Sequence, residues 1–151
     1  MTTLVDTLED LPPLVGQDLE PSAWVVVDQA RIDTFADATD DHQWIHVDSE
    51  RAGRGPFGTT IAHGYLTLSL LIPMWTQILD VRNVSAKVNY GLEKVRFPAP
   101  TPVGSRIRTI AQLTAVTDVV GGVQLTIAAT VEREGGDKPV CVASPVFRFY
   151  R

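Results

Sequence analysis

The chain has 151 residues, 44% of them hydrophobic and 21% charged, with a formal net charge of -5 and a pI near 5.0. That length suits one domain able to bury about two thirds of its unfolded surface, and the acidic balance excludes a nucleic-acid binder, whose affinity rests on basic groups neutralising phosphates. A single cysteine, Cys141, permits no intrachain disulfide, the acidic start "MTTLVDTLED" lacks a secretory pattern, and the longest apolar run, Leu66 to Trp75, is about half the ~20 residues of a membrane span, so a cytoplasmic chain with no membrane association is expected.

In chain order, residues 1–20 read as an arm or short helix followed by a Pro-broken connection, and 21–151 as one domain. "WVVV", Trp24 to Val27, reads as a first strand. Asp28 is placed to cap a helix over "QARIDTFADAT", in which Ile32, Phe35 and Ala36 share a face. Asp48 is placed to cap a short turn over "SERAG", and "GRGPFG" reads as a loop. Thr59 to Leu79 is apolar almost all round and predicts one long helix that something must wrap. The wrapping comes from "SAKVNYG", "KVRF", "SRIRTIAQLTAV", "VQLTIAATVER" and "PVCVASPVFRFY", all strand-like. Val123, Leu125, Ile127, Ala129 and Val131 alternate onto one face, between turns at Gly121–Gly122 and at "EGGD". Helices early and antiparallel strands late predict an α+β domain, a long central apolar helix lying in a curved antiparallel sheet of five or six strands.

Charge is unevenly spread: residues 1–50 carry twelve acids and one base, whereas 82–108 carry six bases against Glu93. The basic stretch suits a small polyanion or a solvated strand surface. The stretch "DATDDHQWIHVD", Asp37 to Asp48, concentrates titratable groups between apolar segments, and it admits three readings: a solvated loop, a metal site, or an acid/base pair beside a pocket. Asp41 and His46, five residues apart, are able to converge on one water, take a proton from it and supply one nearby, a step worth about 10² to 10⁴ in rate. "IAHG", Ile61 to Gly64, begins the apolar helix, where the first N–H groups have no internal partner. A Gly64 N–H there suits a carbonyl oxygen that gains negative charge.

The segment Phe35 to Ala52, "FADATDDHQWIHVDSERA", resembles the signature of the MaoC-like (R)-specific enoyl-CoA hydratases, whose core reads G-D-x-N-P-[LIV]-H followed at fixed spacing by a small residue. Asp41, Ile45, His46 and Ala52 match it, and "GPFGTTIAHGYLTLSL" and "YGLEKVRFPAPTPVGSRIR" resemble the family's helix start and following strands, within its nodulation-protein-N-like branch. The resemblance implies a hot-dog fold over 21–151 and a hydro-lyase in which Asp41 and His46 activate water and the Gly64 N–H receives the thioester carbonyl. Water would add to trans-2-enoyl-CoA to give a (3R)-hydroxyacyl-CoA, with no metal or redox cofactor. Asp40, Gln43 and Trp44 stand where the pattern has glycine, asparagine and proline. The Gln43 amide still suits holding the water, and His63 is assigned to the same substrate-binding group as a residue that sets the helix start. Lys94, Arg96 and Arg106 are candidates for coenzyme A phosphates. The fold implies a homodimer that covers exposed sheet edges.

Plainer readings stand beside these. His42 is expected to face solvent or to support the pair from outside, and a zinc set of His42, His46 and His63 matches no strong ligand spacing. Ser69 and Cys141 fit core positions rather than nucleophile motifs. Trp44, Phe57, Tyr65 and Trp75 suit an acyl tunnel or ordinary core. The same fold also accommodates an acyl-CoA thioesterase, or a non-catalytic acyl-CoA binder or subunit.

Overall fold

The computed structural model describes residues 1–151. A short strand β1 (Thr3–Val5) is followed by two 3₁₀ turns, Leu8–Asp10 and Pro12–Leu14, and by β2 (Val25–Val27). Next come helices α1 (Gln29–Thr39), α2 (Trp44–Val47), α3 (Ser49–Gly53) and α4 (Gly64–Ile78). Strands β3 (Leu79–Val81), β4 (Ala86–Arg96), β5 (Ser105–Val119), β6 (Gly122–Arg133) and β7 (Cys141–Tyr150) complete the chain. Both expected caps are present: the Asp28 carboxylate accepts from the Arg31 N–H and that of Asp48 from the Arg51 N–H, each at 2.9 Å.

The five-stranded antiparallel sheet has the order β2-β5-β6-β7-β4 and curls into a half-barrel, the hot-dog arrangement. Its inner face on β6 is the alternating set Val123, Leu125, Ile127, Ala129 and Val131, all at most 3% exposed. Helix α4 lies against that face and buries Leu66, Thr67, Leu70, Leu71, Met74, Trp75 and Ile78. "SAKVNYG" and "KVRF" are one strand, β4, because the offsets in its pairing with β7 between Asn89 and Gly91 and between Leu92 and Val95 absorb the break in alternation.

Three expectations need correcting. The long helix begins at Gly64 rather than Thr59, because Thr60 to Ala62 run extended: Ile61 N–H donates to Ile45 O at 3.0 Å, Ala62 N–H to Thr101 O at 2.8 Å, and Val103 N–H to Thr60 O at 2.9 Å. Nor is α4 wrapped on all sides. Tyr65, Ser69, Pro73 and Thr76 are exposed along one stripe, so Ser69 is a surface residue rather than core; its Oγ donates to Tyr65 O at 2.7 Å. The first residues form a docked strand and turns instead of a helix: β1 pairs in parallel with β3, and Leu8 and Leu11 enter the core.

Close approach of β6 and β7 explains one glycine. A Cβ on Gly122 would lie 2.0 Å from Phe149 O, whereas one on Gly53 would meet nothing within 4 Å. Gly122→Ala should therefore lower unfolding free energy by roughly 1–3 kcal/mol or more, and Gly53→Ala should stay within about 0.5 kcal/mol of the parent protein. Urea midpoints of the two variants check this, and equal midpoints would contradict it.

Candidate active site

Three turns of polypeptide meet at the start of α4. Helix α1 ends at Asp40, whose φ of 59° is left-handed. An aspartate tolerates that conformation at modest strain, which accounts for its presence where the resembled pattern has glycine. Asp41 follows on the loop. Gln43 then takes the N-cap position of α2 without a side-chain cap bond, and Trp44 occupies the first position of that single turn, a site that also suits proline. The Trp44 ring is held between the Arg51 guanidinium, 4.4 Å from its centre, and Gly55, where a Cβ would come within 2.9 Å of it.

His46 is 6% exposed, and its Nδ1–H donates to Ile61 O at 2.7 Å, which leaves Nε2 as the basic nitrogen. His63, immediately before α4, donates from Nε2–H to Asp41 O at 2.9 Å, and the two imidazoles stack with centroids 3.8 Å apart and planes 23° from parallel. A cavity of about 430 Å³ is lined by Phe35, Thr39, Asp41, His46, His63, Gly64, Tyr65 and Phe97. The Gly64 and Tyr65 N–H groups make no intramolecular hydrogen bond, and a Cβ on Gly64 would sit 3.0 Å from the Phe97 ring. A second cavity of about 300 Å³ shares His46, Gly64 and Phe97 with the first and continues past Phe57, Ile61, Thr67 and Val140. Burial holds the His46 imidazole below its ordinary pKa; the bond to Ile61 O opposes this, the neighbouring charge of His63 adds to it, and the Asp41 carboxylate opposes it.

The structure thus brings Asp41, His46, His63 and Gly64 to one cavity wall. The remaining expected residues lie elsewhere. Gln43 is exposed and does not line the cavity. His42 faces solvent and pairs with Asp37 at 2.8 Å, an arrangement that raises its pKa through that hydrogen bond. Arg106 is held by both carboxylate oxygens of Glu134 at 2.8 and 3.0 Å, while Lys94 and Arg96 make no ion pair and lie on the strand that delivers Phe97. Trp75 is core, stacked on Phe147, whereas Phe57 and Tyr65 do line the two cavities. Cys141 is fully buried, and burial pushes its thiol up to about 11.

One atom each from Asp41, His46 and His63 falls within 4.8 Å of the others, the spacing of a candidate ion site. The set fits zinc poorly. Imidazole lone pairs lie in the ring planes, and two nearly parallel rings 3.8 Å apart do not aim at one point about 2 Å from each nitrogen.

Sequence reasoning missed Gln29. Its Nε2 donates to His46 O at 2.8 Å and to Asp33 Oδ1 at 2.8 Å, while its Oε1 accepts from the buried Thr60 hydroxyl at 2.6 Å. A polar first residue in a capped helix carries no local signal of such a clamp. Phe97 was equally silent.

A curled antiparallel sheet around one helix, with a histidine and an aspartate at the mouth of a cavity beside the helix start, is the hot-dog fold carrying a candidate acid/base site. Residues 10–135 match the MaoC like domain model. The chain is 52% identical over 145 residues to 3-hydroxyacyl-thioester dehydratase Z of Mycobacterium tuberculosis, covering 95% of this chain and 96% of that one. It is 46% identical over 142 residues to nodulation protein N of Rhizobium leguminosarum bv. viciae, covering 91% and 88%. The crystal structure of a MaoC-like dehydratase from Rhodospirillum rubrum superposes with a TM-score of 0.74 at 25% identity, covering 96% of this chain and 97% of that one. The chain belongs to the MaoC-like dehydratase family.

The Gln29 clamp makes a stability prediction. Gln29→Ala leaves the Thr60 hydroxyl and the His46 carbonyl without these partners, and it should destabilise the fold by about 1–3 kcal/mol. Urea denaturation measures this, and a loss under about 0.5 kcal/mol would mean that the clamp contributes nothing to the folded state.

Proposed function

We propose that the protein is an (R)-specific hydratase that adds water to trans-2-enoyl-CoA thioesters and, in reverse, dehydrates (3R)-hydroxyacyl-CoA. The observation that carries this reading is the pairing of a buried imidazole, whose tautomer leaves Nε2 basic, with the Asp41 carboxylate beside a Gly64 N–H that has no other partner. In the hydration direction the Asp41/His46 pair accepts a proton from water as its oxygen bonds C3. The C2=C3 electrons move toward the thioester oxygen, where the Gly64 N–H stabilises the enolate. The pair then returns a proton to C2, so that H and OH are added and nothing is oxidised or reduced. The chemistry calls for no metal or redox cofactor.

Similarity to the 3-hydroxyacyl-thioester dehydratase Z of Mycobacterium tuberculosis supports the same substrate class at the level of acyl thioesters. Lys94 and Arg96, with unpaired charges, are the cations proposed for coenzyme A phosphates; Arg106 would have to leave Glu134 to serve. Purified protein should remove the absorbance of the conjugated thioester from crotonyl-CoA or longer enoyl-CoAs, and Asp41→Asn should lower the rate by roughly 10² or more. An unchanged rate in Asp41→Asn would remove the assignment, and release of free thiol from saturated acyl-CoA would replace hydration with hydrolysis.

We also propose a homodimer. The outer edge of β4 has no partner strand and carries Val88, Tyr90 and Leu92 at 43%, 58% and 43% exposure. Between that strand and the uncovered side of α4 runs a groove of about 270 Å³ lined by Leu68, Ile72, Tyr90, Leu92 and Phe147. A second copy pairing its own β4 edge would cover both features about a two-fold axis. Light scattering should give twice the 16.5 kDa chain mass, and Leu92→Lys should shift the protein toward the single-chain mass. A parent protein that scatters as one chain would remove this part of the reading.

A further inference from the structure

We propose that His63 is a positioning residue for the Asp41/His46 pair: it carries the Asp41 main chain on its Nε2–H and supports the His46 ring face to face. The proposal rests on the reading of Asp41 and His46 as the reacting groups. His63 is 3% exposed and sits between two rings, His46 at 3.8 Å and Phe35 at 4.8 Å, the latter tilted by 56°. Asp41 has little else to hold it. Its side chain is 53% exposed, and its nearest main-chain donor, the Gln43 N–H, is 3.5 Å from Oδ1. The loop following left-handed Asp40 is therefore anchored at Asp41 O by the His63 N–H at 2.9 Å, with Asp41 Oδ2 4.0 Å from the same nitrogen. Nδ1 of His63 is buried without a hydrogen-bond partner, so the Nε2–H to Asp41 O is the ring's one hydrogen bond.

Asp41 and His46 are thus joined through one side chain, by a hydrogen bond to the first and a stack on the second. Such a link has two separable consequences. Losing the bond lets Asp41 drift, and a displacement of about 1 Å at a reacting group lowers rates by roughly 10²-fold. Losing the imidazole also removes a neighbour whose charge opposes protonation of His46. The titratable groups facing this cavity are Asp41 from the loop, His46 from α2, and His63 and Tyr65 at the start of α4. Helix α1 contributes only Phe35 and Thr39, and the end of β4 is followed by Phe97, none of them charged.

Two variants separate the consequences. His63→Phe keeps a ring against His46 and removes both nitrogens, whereas His63→Gln places an amide N–H near the position of Nε2. Against crotonyl-CoA, His63→Phe should lower kcat by roughly 10- to 100-fold with KM within about threefold. Its acid limb, which requires neutral His46, should move to higher pH, because a neighbour that lowers the His46 pKa is gone. His63→Gln should recover at least part of kcat while its acid limb stays at the higher pH. Imidazole ¹⁵N NMR reads the His46 titration midpoint without substrate, and it should rise in both variants. A wild-type midpoint in a folded variant, or no recovery of kcat in His63→Gln, would overturn the proposal. Wild-type protein without hydratase turnover, but with the His46 midpoint still rising in the variants, would refute the hydratase reading and leave the His63 link standing.

Discussion

The site depends on a pair of hydrogen bonds exchanged across Ile61. Its N–H donates to Ile45 O and its C=O accepts from His46 Nδ1, so the single turn α2 is zipped to the extended strip before α4 through one residue. The second of these bonds fixes the His46 tautomer and leaves Nε2 as the basic nitrogen. The same strip gives the Ala62 N–H to Thr101 and the Thr60 C=O to Val103, which keeps it from joining the helix. As a result α4 starts at Gly64, and its first N–H groups face the cavity that holds the two side chains. Were the helix to begin a turn earlier, Gly64 would be an interior residue with its N–H spent on the residue four positions back.

Burial and exposure are divided between the two groups in a way that suits acid/base work. His46 is enclosed under Gln29, His63 and Ile61, where desolvation disfavours its charged form, and Asp41 stands at the solvent edge. The carboxamide contacts of the Gln29 clamp satisfy the His46 carbonyl and the Thr60 hydroxyl, which burial would otherwise leave unpaired. Conversely, the uncovered stripe of α4 and the free edge of β4 lie together. A helix that is apolar nearly all round is covered on one side by the curled sheet alone, and the remaining side is open along a groove beside β4.

Features with a local physical cause were legible in the residues. Capping aspartates act within three positions, which is why Asp28 and Asp48 marked α1 and α3 correctly. A two-residue period over Val123 to Val131 can only mean one buried strand face, and that is what β6 shows. The α+β architecture followed from the order of such segments, and the D-x4-H spacing with the later helix start carried the family resemblance.

What remained silent depends on partners far away in the chain. The "IAHG" start of α4 was legible, but Thr59 to Ile61 were counted into the helix because an apolar run has no periodicity that separates a helix from an extended strip, and the carbonyls that decide the matter belong to residues 45 and 101. Ser69 looked like core because only the finished sheet reveals which side of α4 it leaves open, and Arg106 looked free because Glu134 is brought opposite it by β5–β6 pairing. Sequence by itself determined most of the elements and the fold class and singled out Asp41 and His46 as candidates, since these follow from periodicity, caps and a contiguous motif. Tertiary structure alone decided the His46 tautomer, the His46/His63 stack, the Gln29 clamp and the place of Phe97, because each is an encounter between side chains or carbonyls that loop closure brings together and no local pattern encodes.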